Sequence, residues 1–251
     1  MTRSEFERRW QRRFAERGAM MDDDAGIAGW TATGLATRVR QFQALWERTE
    51  HAAGIWLDVG CGAGTYTRLL CEQGYHAIGI DYAVPSLFKA RERSGAQAQP
   101  VGWLSADVQQ LPLQDQSADG VLCLGVMQAL ADPGPALAEL RRVLKPGGEL
   151  WVDALNVRCA PTRLSEWRRA RRGVPPHLRY DDPDGLVDGV RDAGFRCEAR
   201  EWLPILPGRL QRWQPLLEAA PTMATLRVLR PLGELLSHSL IVRATRVEGD
   251  T

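Results

Sequence analysis

The stretch "LDVGCGAGTYT", residues 57–67, puts an acidic side chain, Asp58, at the end of an apolar run, followed by glycine at positions 60, 62 and 64. Main chain without Cβ atoms can take unusual φ values and lets a bulky ligand lie directly against it. A helix starting just behind such a loop adds unpaired N–H groups. A glycine loop alone also serves as a plain structural turn, so a second feature has to decide. About twenty residues further on, "HAIGID" ends on Asp81, where a carboxylate at a strand end can accept both hydroxyls of a ribose. Loop and carboxylate together point to an adenosine-type ligand. Thr65 stands where the dinucleotide fingerprint G-x-G-x-x-G needs its third glycine. Asp58 would repel a pyrophosphate and suits a ligand carrying a positive ammonium or sulfonium.

Such a loop needs elements to hold it. Short apolar runs alternate with helical patterns from Ile55 onward, giving expected strands at 55–60, 76–81, 101–107, 119–126 and 149–155. Helices are expected between them at 65–74, 84–95 and 134–144, closed by Gly74, by Gly95 and by the run Lys145-Pro146-Gly147-Gly148. This alternation means a doubly wound α/β domain with a parallel sheet covered on both faces. Two N-terminal helices are expected at 3–17 and 35–48; in the second, Leu35, Val39, Phe42 and Trp46 share one face. Near the C-terminus a helix at 182–193 leads into "FRCEAREWLPIL", and "HSLIVRAT" follows after a Pro- and Trp-containing stretch. The two outer pieces read as an antiparallel edge pair with a helical insertion before the last strand. The organisation is thus an N-terminal helical lid segment, residues 1–50, and a main domain, residues 51–251, with 207–237 as an inserted cap.

Bulk properties bound the function. At 251 residues the chain can bury a sizeable core, and 44% hydrophobic with 25% charged residues is ordinary for a soluble protein. A net charge of +1 argues against a whole-molecule attraction to nucleic acid or an anionic membrane, though a local basic patch is compatible with it. All basic residues except Lys89 and Lys145 are arginine, which hints at a GC-rich bacterial source. The charged start "MTRSEFERRWQRRFAER" has no apolar h-region, and no apolar run reaches the ~18 residues of a membrane helix. Cys61, Cys71, Cys123, Cys159 and Cys197 are odd in number, scattered and never in C-x-x-C, so neither a metal site nor a disulfide framework is expected. A soluble cytoplasmic protein is the expectation.

Over roughly residues 55–156 the chain resembles the class I S-adenosylmethionine-dependent methyltransferases, whose first cofactor motif is D-x-G-x-G-x-G. "ADVQQLPLQDQSADGVLCLGVMQAL" followed by "ALAELRRVLKPGGEL" is similar to the middle of that family, in the same order. The resemblance implies a Rossmann-like, mostly parallel seven-stranded sheet and S-adenosylmethionine as cofactor, with S-adenosylhomocysteine as product. It implies that main chain from Gly60 through Cys61 and Gly62 to Gly64 lines the methionine and ribose parts. Asp58 would help hold the methionine ammonium through water, Asp81 would take the ribose hydroxyls and Tyr82 would lie against the adenine. Asp107 would accept from the adenine amino group while the Val108 N–H meets a ring nitrogen, and Leu124 and Gly125 would close the methionine end. Helix geometry adds Arg38: steps of about 100° per residue place it beside the apolar stripe, and Arg40 almost opposite. Arg38 is therefore expected at the methionine carboxylate and Arg40 in solvent.

On the acceptor side the resemblance thins. Many relatives carry an acidic residue and a histidine where this chain has Gln128 and Ala129, which leaves Gln128 as a substrate contact without a base. N-P-P-Y and a P-C pair are also absent. Methyl transfer needs no base in principle, because the sulfonium is already activated and alignment with exclusion of water can suffice. If a base is used, His177 or Tyr180 in "PPHLRYDD" is the candidate; a plain surface histidine is the other reading. Asp153 and Asn156 end the fifth strand and could touch substrate. Trp30, with Trp202 and Trp213, would give flat apolar surfaces to a lid formed by "DDDAGIAGWTATGL" and the 207–237 insertion; ordinary core packing is the alternative. The stretch 158–179 holds seven arginines against one carboxylate, Glu166. Either it is a solvated face answered by Asp181, Asp182, Asp184 and Asp188, or part of it faces the acceptor mouth and selects an anionic or carrier-bound acceptor. The expected function is methylation of a small molecule at O, N or C, with no nucleic acid and no membrane insertion. The rivals are an RNA or protein methyltransferase, which salt-sensitive RNA binding would favour, and a non-methylating S-adenosylmethionine-binding protein. Release of S-adenosylhomocysteine in the presence of an acceptor separates that last reading from an enzyme.

Overall fold

Successive residues of a strand face opposite sides of a sheet, and the apolar runs of this chain are apolar on both sides. A computed structural model, describing residues 4–95, 101–174, 178–206 and 208–248, pairs them into one seven-stranded sheet. The strands are β1 (Ile55–Val59), β2 (His76–Asp81), β3 (Val101–Ser105), β4 (Ala118–Cys123), β5 (Leu144–Leu155), β6 (Phe195–Leu203) and β7 (Ser239–Arg246). Their order is β3-β2-β1-β4-β5-β7-β6. Neighbours among β1–β5 run parallel, and β7 is antiparallel to both β5 and β6. The expected mostly parallel sheet with an antiparallel edge pair is the sheet observed. Strand order reverses between β1 and β4, so the loops after these two strands diverge and leave a crevice at their carboxyl ends.

The helices are α1 (Glu5–Met20), α2 (Asp24–Ala28), α3 (Ala32–Trp46), α4 (Thr65–Glu72), α5 (Val84–Ser94), α6 (Gly134–Val143), α7 (Ala160–Arg171), α8 (Pro183–Asp192), α9 (Gln214–Glu218), α10 (Ala220–Val228) and α11 (Arg230–Leu236). On one face of the sheet Leu57, Val121, Leu150 and Val242 pack with Leu137, Leu140 and Val190. On the other face Trp56, Leu122, Trp151 and Ile241 pack with Phe42, Trp46 and Leu70. Each such side chain, fully buried, contributes about 1.5–3 kcal/mol. Trp46 anchors an aromatic cluster there, stacked on His51 at 3.6 Å and edge-on to Trp56 at 4.7 Å.

Two departures from the sequence reading have local causes. Strand β5 begins at Leu144 rather than Glu149, but Ala118 pairs with Leu144 and Gly120 with Glu149, so Lys145–Gly148 is a bulge inside the strand. Helix α2 lies between the two N-terminal helices read from sequence, in a stretch given to the lid segment without a helix of its own. It is capped by Asp23, whose side chain accepts from the Gly26 N–H at 2.7 Å, and it ends at Gly29 with φ +80°.

The insertion between β6 and β7 is helical, as expected. It leans on α3 through Arg40–Glu218 at 3.1 Å and on the loop after β5 through Arg158–Glu234 at 2.6 Å.

Candidate functional site

At the carboxyl ends of β1, β2 and β4 lies a cleft enclosing about 1200 Å³ of non-atom space, open solvent at its mouth included. Its floor is the glycine loop. Gly60 and Gly64 both sit at φ +78°. The Gly60 N–H donates to the Ile80 carbonyl at 2.7 Å, and the Cys61 N–H donates to the same oxygen at 3.0 Å, folding the loop over β2. A Cβ added to Gly62 would meet nothing nearer than Ile27 Cγ2 at 3.8 Å, so the main chain there is bare toward the cleft. This is the cradle a ligand lying on backbone requires.

Asp81 stands beside it, 9% exposed and on the cleft wall. It accepts from the Gly62 N–H at 2.9 Å and the Ala83 N–H at 2.8 Å. Burial raises its pKa, opposed by the N–H groups of Ala83, Gly62 and Tyr82. A carboxylate has about four acceptor sites, so capacity remains for ribose hydroxyls. Tyr82, Asp107, Val108, Leu124 and Gly125 line the same cleft, as do Trp30 and Arg38. The residues assigned to adenosine and methionine from sequence are thus largely brought together, although more than 40 positions separate Arg38 from Asp81 and Asp107.

Arg38 is buried and held from several sides. It is 3% exposed, and Asp153, which it meets in a hydrogen-bonded ion pair, is 0% exposed. It also donates to Ser239 Oγ at 2.9 Å, and its guanidinium lies 4.5 Å from the Trp30 ring centroid. Burial works to lower the Arg38 pKa; the Asp153 carboxylate and the Tyr66 phenol override it and leave the group above its ordinary value. Asp153 in turn accepts from the Gly125 N–H at 2.6 Å. The pair therefore ties α3 to the loop after β4 and fixes that end of the cleft. Asp153 acts through this joint and does not itself line the cleft. Arg40 is exposed and paired with Glu218, as the helix geometry requires.

Several sequence assignments are corrected by position. Asp58 lies beneath the loop and not on the cleft wall. It accepts from Thr67 Oγ1 at 2.5 Å, and burial, opposed by that hydrogen bond, pushes its pKa up to about 7. Gly64 caps α4, and a Cβ there would meet Trp103 Cη2 at 2.5 Å and Ala90 Cβ at 3.2 Å, so packing rather than a ligand demands this glycine. Gln128 is buried off the cleft. Asn156 is a structural joint: its Nδ2 donates to the Glu234 carbonyl at 2.7 Å and the Ser237 carbonyl at 2.9 Å, clasping the insertion. Trp202 lies on the edge strand with Arg200 at 5.0 Å, and Trp213 is half exposed beside Arg212. Neither reaches the cleft, because the insertion packs against α3 and α7 instead of folding over the sheet end. Tyr180 also lies off the cleft wall, with a phenol pushed up to about 12 chiefly by burial. His177 falls outside the described residues.

The Asp58 carboxyl has a measurable consequence. Folded, it keeps its proton up to about pH 7, whereas unfolded it loses it near its ordinary 3.8. The folded state therefore binds more protons across that window, and stability falls as pH rises through it, by at most about 1.4 kcal/mol per unit. Asp58→Asn should flatten the profile between pH 4 and 7 and raise the melting temperature at pH 8. Parallel profiles for the two proteins would refute the assignment.

Sequence reasoning missed the wall opposite the loop. Glu7, Trp10, Gln11 and Phe14, one face of α1, line the cleft. Their i, i+3, i+4, i+7 spacing was visible, and a glutamate on an aromatic face was the signal. Glu7 accepts from the Ala131 N–H at 3.1 Å and from Gln109 Nε2 at 3.3 Å, fastening α1 across the strand ends. Asp24 of α2 fastens the next segment, accepting from Thr65 Oγ1 at 2.6 Å, Arg68 at 2.5 Å and Arg93 at 2.5 Å. None of the seven arginines in 158–179 lines the cleft. Arg158 pairs with Asp182 and Asp184, and Arg179 pairs with Asp181, which fits the solvated-face reading.

Comparison with known proteins follows the same outline. Residues 57–152 match the family model described as a methyltransferase domain. A malonyl-[acyl-carrier protein] O-methyltransferase of Pseudescherichia vulneris is 31% identical over 185 residues, which are 63% of this chain and 72% of that one. A ubiquinone biosynthesis O-methyltransferase of Xylella fastidiosa is 30% identical over 57% of this chain and 61% of its own. The matches to the first three curated relatives span only 28%, 40% and 61% of those proteins' lengths. The crystal structure of an S-adenosylmethionine dependent methyltransferase from Mesorhizobium loti has the same fold, with a TM-score of 0.59 at 20% identity over 82% of this chain and 97% of that one. Among the described residues no helix is long and apolar enough to cross a membrane, and no cluster of side chains could hold a metal ion.

Proposed function

The chain belongs to the class I S-adenosylmethionine-dependent methyltransferases, and from that premise we propose that it methylates a small-molecule acceptor in the cleft between the glycine loop and the N-terminal helices. One observation carries the reading: a backbone cradle, a buried strand-end carboxylate and a buried arginine converge on a single cleft. S-adenosylmethionine supplies an electrophilic methyl group on a sulfonium. The chain's own residues bind and orient. Asp81 would accept the ribose hydroxyls, Tyr82, Asp107 and Val108 would hold the adenine, and Arg38 would meet the methionine carboxylate with the donors that Asp153 and Ser239 leave over. Residues 1–50 would act as the lid over this site.

The acceptor's chemistry follows from what the cleft wall offers. Its carboxylates are already engaged: Glu7 with Ala131, Asp24 with Arg68 and Arg93, Asp81 with Gly62 and Ala83, and Asp107 with the Gln109 N–H at 3.0 Å. No histidine stands among the described residues of the wall. Proximity and exclusion of water therefore carry the step, which suits an acceptor that arrives anionic, a carboxylate or a phenolate, at oxygen. Relatives named for malonyl-[acyl-carrier protein] and for ubiquinone biosynthesis fit those two chemistries, and a carrier-bound acceptor is compatible with both.

Asp81→Ala should weaken binding of S-adenosylmethionine and S-adenosylhomocysteine by about 1.5–3 kcal/mol, the size of hydrogen bonds to a charged group, with unfolding still cooperative. An unchanged dissociation constant would remove Asp81 from the site. The reaction itself is tested by S-adenosylhomocysteine release with panels of carboxylate, phenol and amine acceptors. Turnover confined to amines would overturn the oxygen-acceptor reading, and binding without turnover on any acceptor would favour the non-methylating alternative.

A further inference from the structure

The exposed apolar side chains are not spread evenly. Twelve of the eighteen large ones among the described residues fall in 157–174 and 208–236, about a fifth of the chain. Leu164 and Trp167 belong to α7 and are about half exposed; Leu216 is 62% exposed and Val228 81%. Helices α7 and α11 touch, so the two segments form one surface. It lies at the carboxyl end of the sheet, where α7 leaves β5 and the insertion joins β6 to β7, the end at which the cleft opens.

The same two segments hold ten arginines against three glutamates. All three glutamates are taken: Glu166 by Arg169 at 3.5 Å, Glu218 by Arg40 and Glu234 by Arg158. Arg163, Arg168, Arg171, Arg172 and Arg212 are exposed, with Arg171 lying over the Trp167 ring at 3.8 Å. The surface therefore combines projecting Leu, Val and Trp side chains with an excess of guanidinium. In a chain of net charge +1 this concentration is local.

We infer that this face of α7 and α9–α11 is a peripheral docking surface for a membrane rich in anionic phospholipid. Charge complementarity selects the occupant. Arginines meet phosphate oxygens, while the apolar side chains enter the headgroup–acyl boundary, which removes their contact with water. An acidic soluble protein would satisfy the arginines alone and leave Leu216 and Val228 in water. Docking of this kind requires no spanning helix.

The test is co-sedimentation of the full chain with vesicles of phosphatidylcholine alone, with phosphatidylcholine–phosphatidylglycerol vesicles, and titration with a soluble acidic acyl carrier protein. Binding to the anionic vesicles, weaker at high salt and slight on phosphatidylcholine, is expected. The triple variant Arg168→Gln/Arg171→Gln/Arg172→Gln should bind anionic vesicles about a hundredfold more weakly, and Leu216→Glu/Val228→Glu should lose them. Both variants change exposed positions and should keep cofactor affinity, which reports a folded protein. Equal binding to neutral and anionic vesicles, binding to neither, binding to the carrier protein alone, or vesicle binding unchanged in Leu216→Glu/Val228→Glu would each overturn the inference. The assay reads binding without turnover, so its failure is distinct from failure of the methyl-transfer reading.

Discussion

Arg38→Met should lower the unfolding free energy by about 3–5 kcal/mol, because it leaves the fully buried Asp153 without its counter-charge. Arg40→Met, two residues along the same helix, should cost less than about 1 kcal/mol, since its pair with Glu218 is half exposed. Cofactor affinity should fall only in the first. A loss of affinity could follow from a damaged fold, so a double variant is needed to separate the two. Arg38→Met/Asp153→Asn removes both charges yet keeps an acceptor for the Gly125 N–H. It should recover much of the stability and none of the affinity for S-adenosylmethionine. Recovery of both would make Arg38 purely structural, and equal losses in Arg38→Met and Arg40→Met would contradict the placement altogether.

The second large effect lies in the glycine loop. Gly60 sits at φ +78°, and a Cβ there would overlap Val126 Cγ2 on the cleft wall. Gly60→Ala combines about 1–2 kcal/mol of left-handed strain with a forced shift of the loop or of Val126. We expect at least about tenfold weaker S-adenosylhomocysteine binding, equivalent to ~1.4 kcal/mol, with a lower melting temperature. In a Val126→Ala background the overlap disappears and only the strain remains, so part of the affinity should return. Wild-type affinity in Gly60→Ala, or no recovery in the double variant, would mean the loop's approach to the cleft is not what the glycine secures.

These two sites differ in how legible they were. Gly60, Gly62 and Asp81 could be read from sequence because each belongs to a local pattern: an apolar run, a bare turn, and a carboxylate at the next strand end. Arg38 was legible as a side of a helix, but its partner Asp153 lies 115 residues away, and local periodicity carries no pairing. Gly64 shows the limit from the other direction. It belongs to the same motif as Gly60, yet its missing Cβ makes room for Trp103, a contact set by how β3 packs. The insertion was rightly read as helical and wrongly sent over the cleft. Its placement is decided by Glu218 and Glu234 finding Arg40 and Arg158, and by the Asn156 clasp. Helix α1 was recognised as a helix of the lid segment, but none of its residues was assigned to the site. Its cleft-facing glutamate becomes informative only once Ala131 and Gln109 are known to meet it.

Calorimetric titration of the full chain with S-adenosylmethionine, S-adenosylhomocysteine and NAD tests the central claim most directly. The cleft has Thr65 in place of the third dinucleotide glycine, which departs from the fingerprint that seats a pyrophosphate. Both adenosyl compounds should bind with dissociation constants in the micromolar range, roughly −8 kcal/mol, and NAD should give no heat above dilution. Saturable binding of NAD with no response to either adenosyl compound would contradict the account.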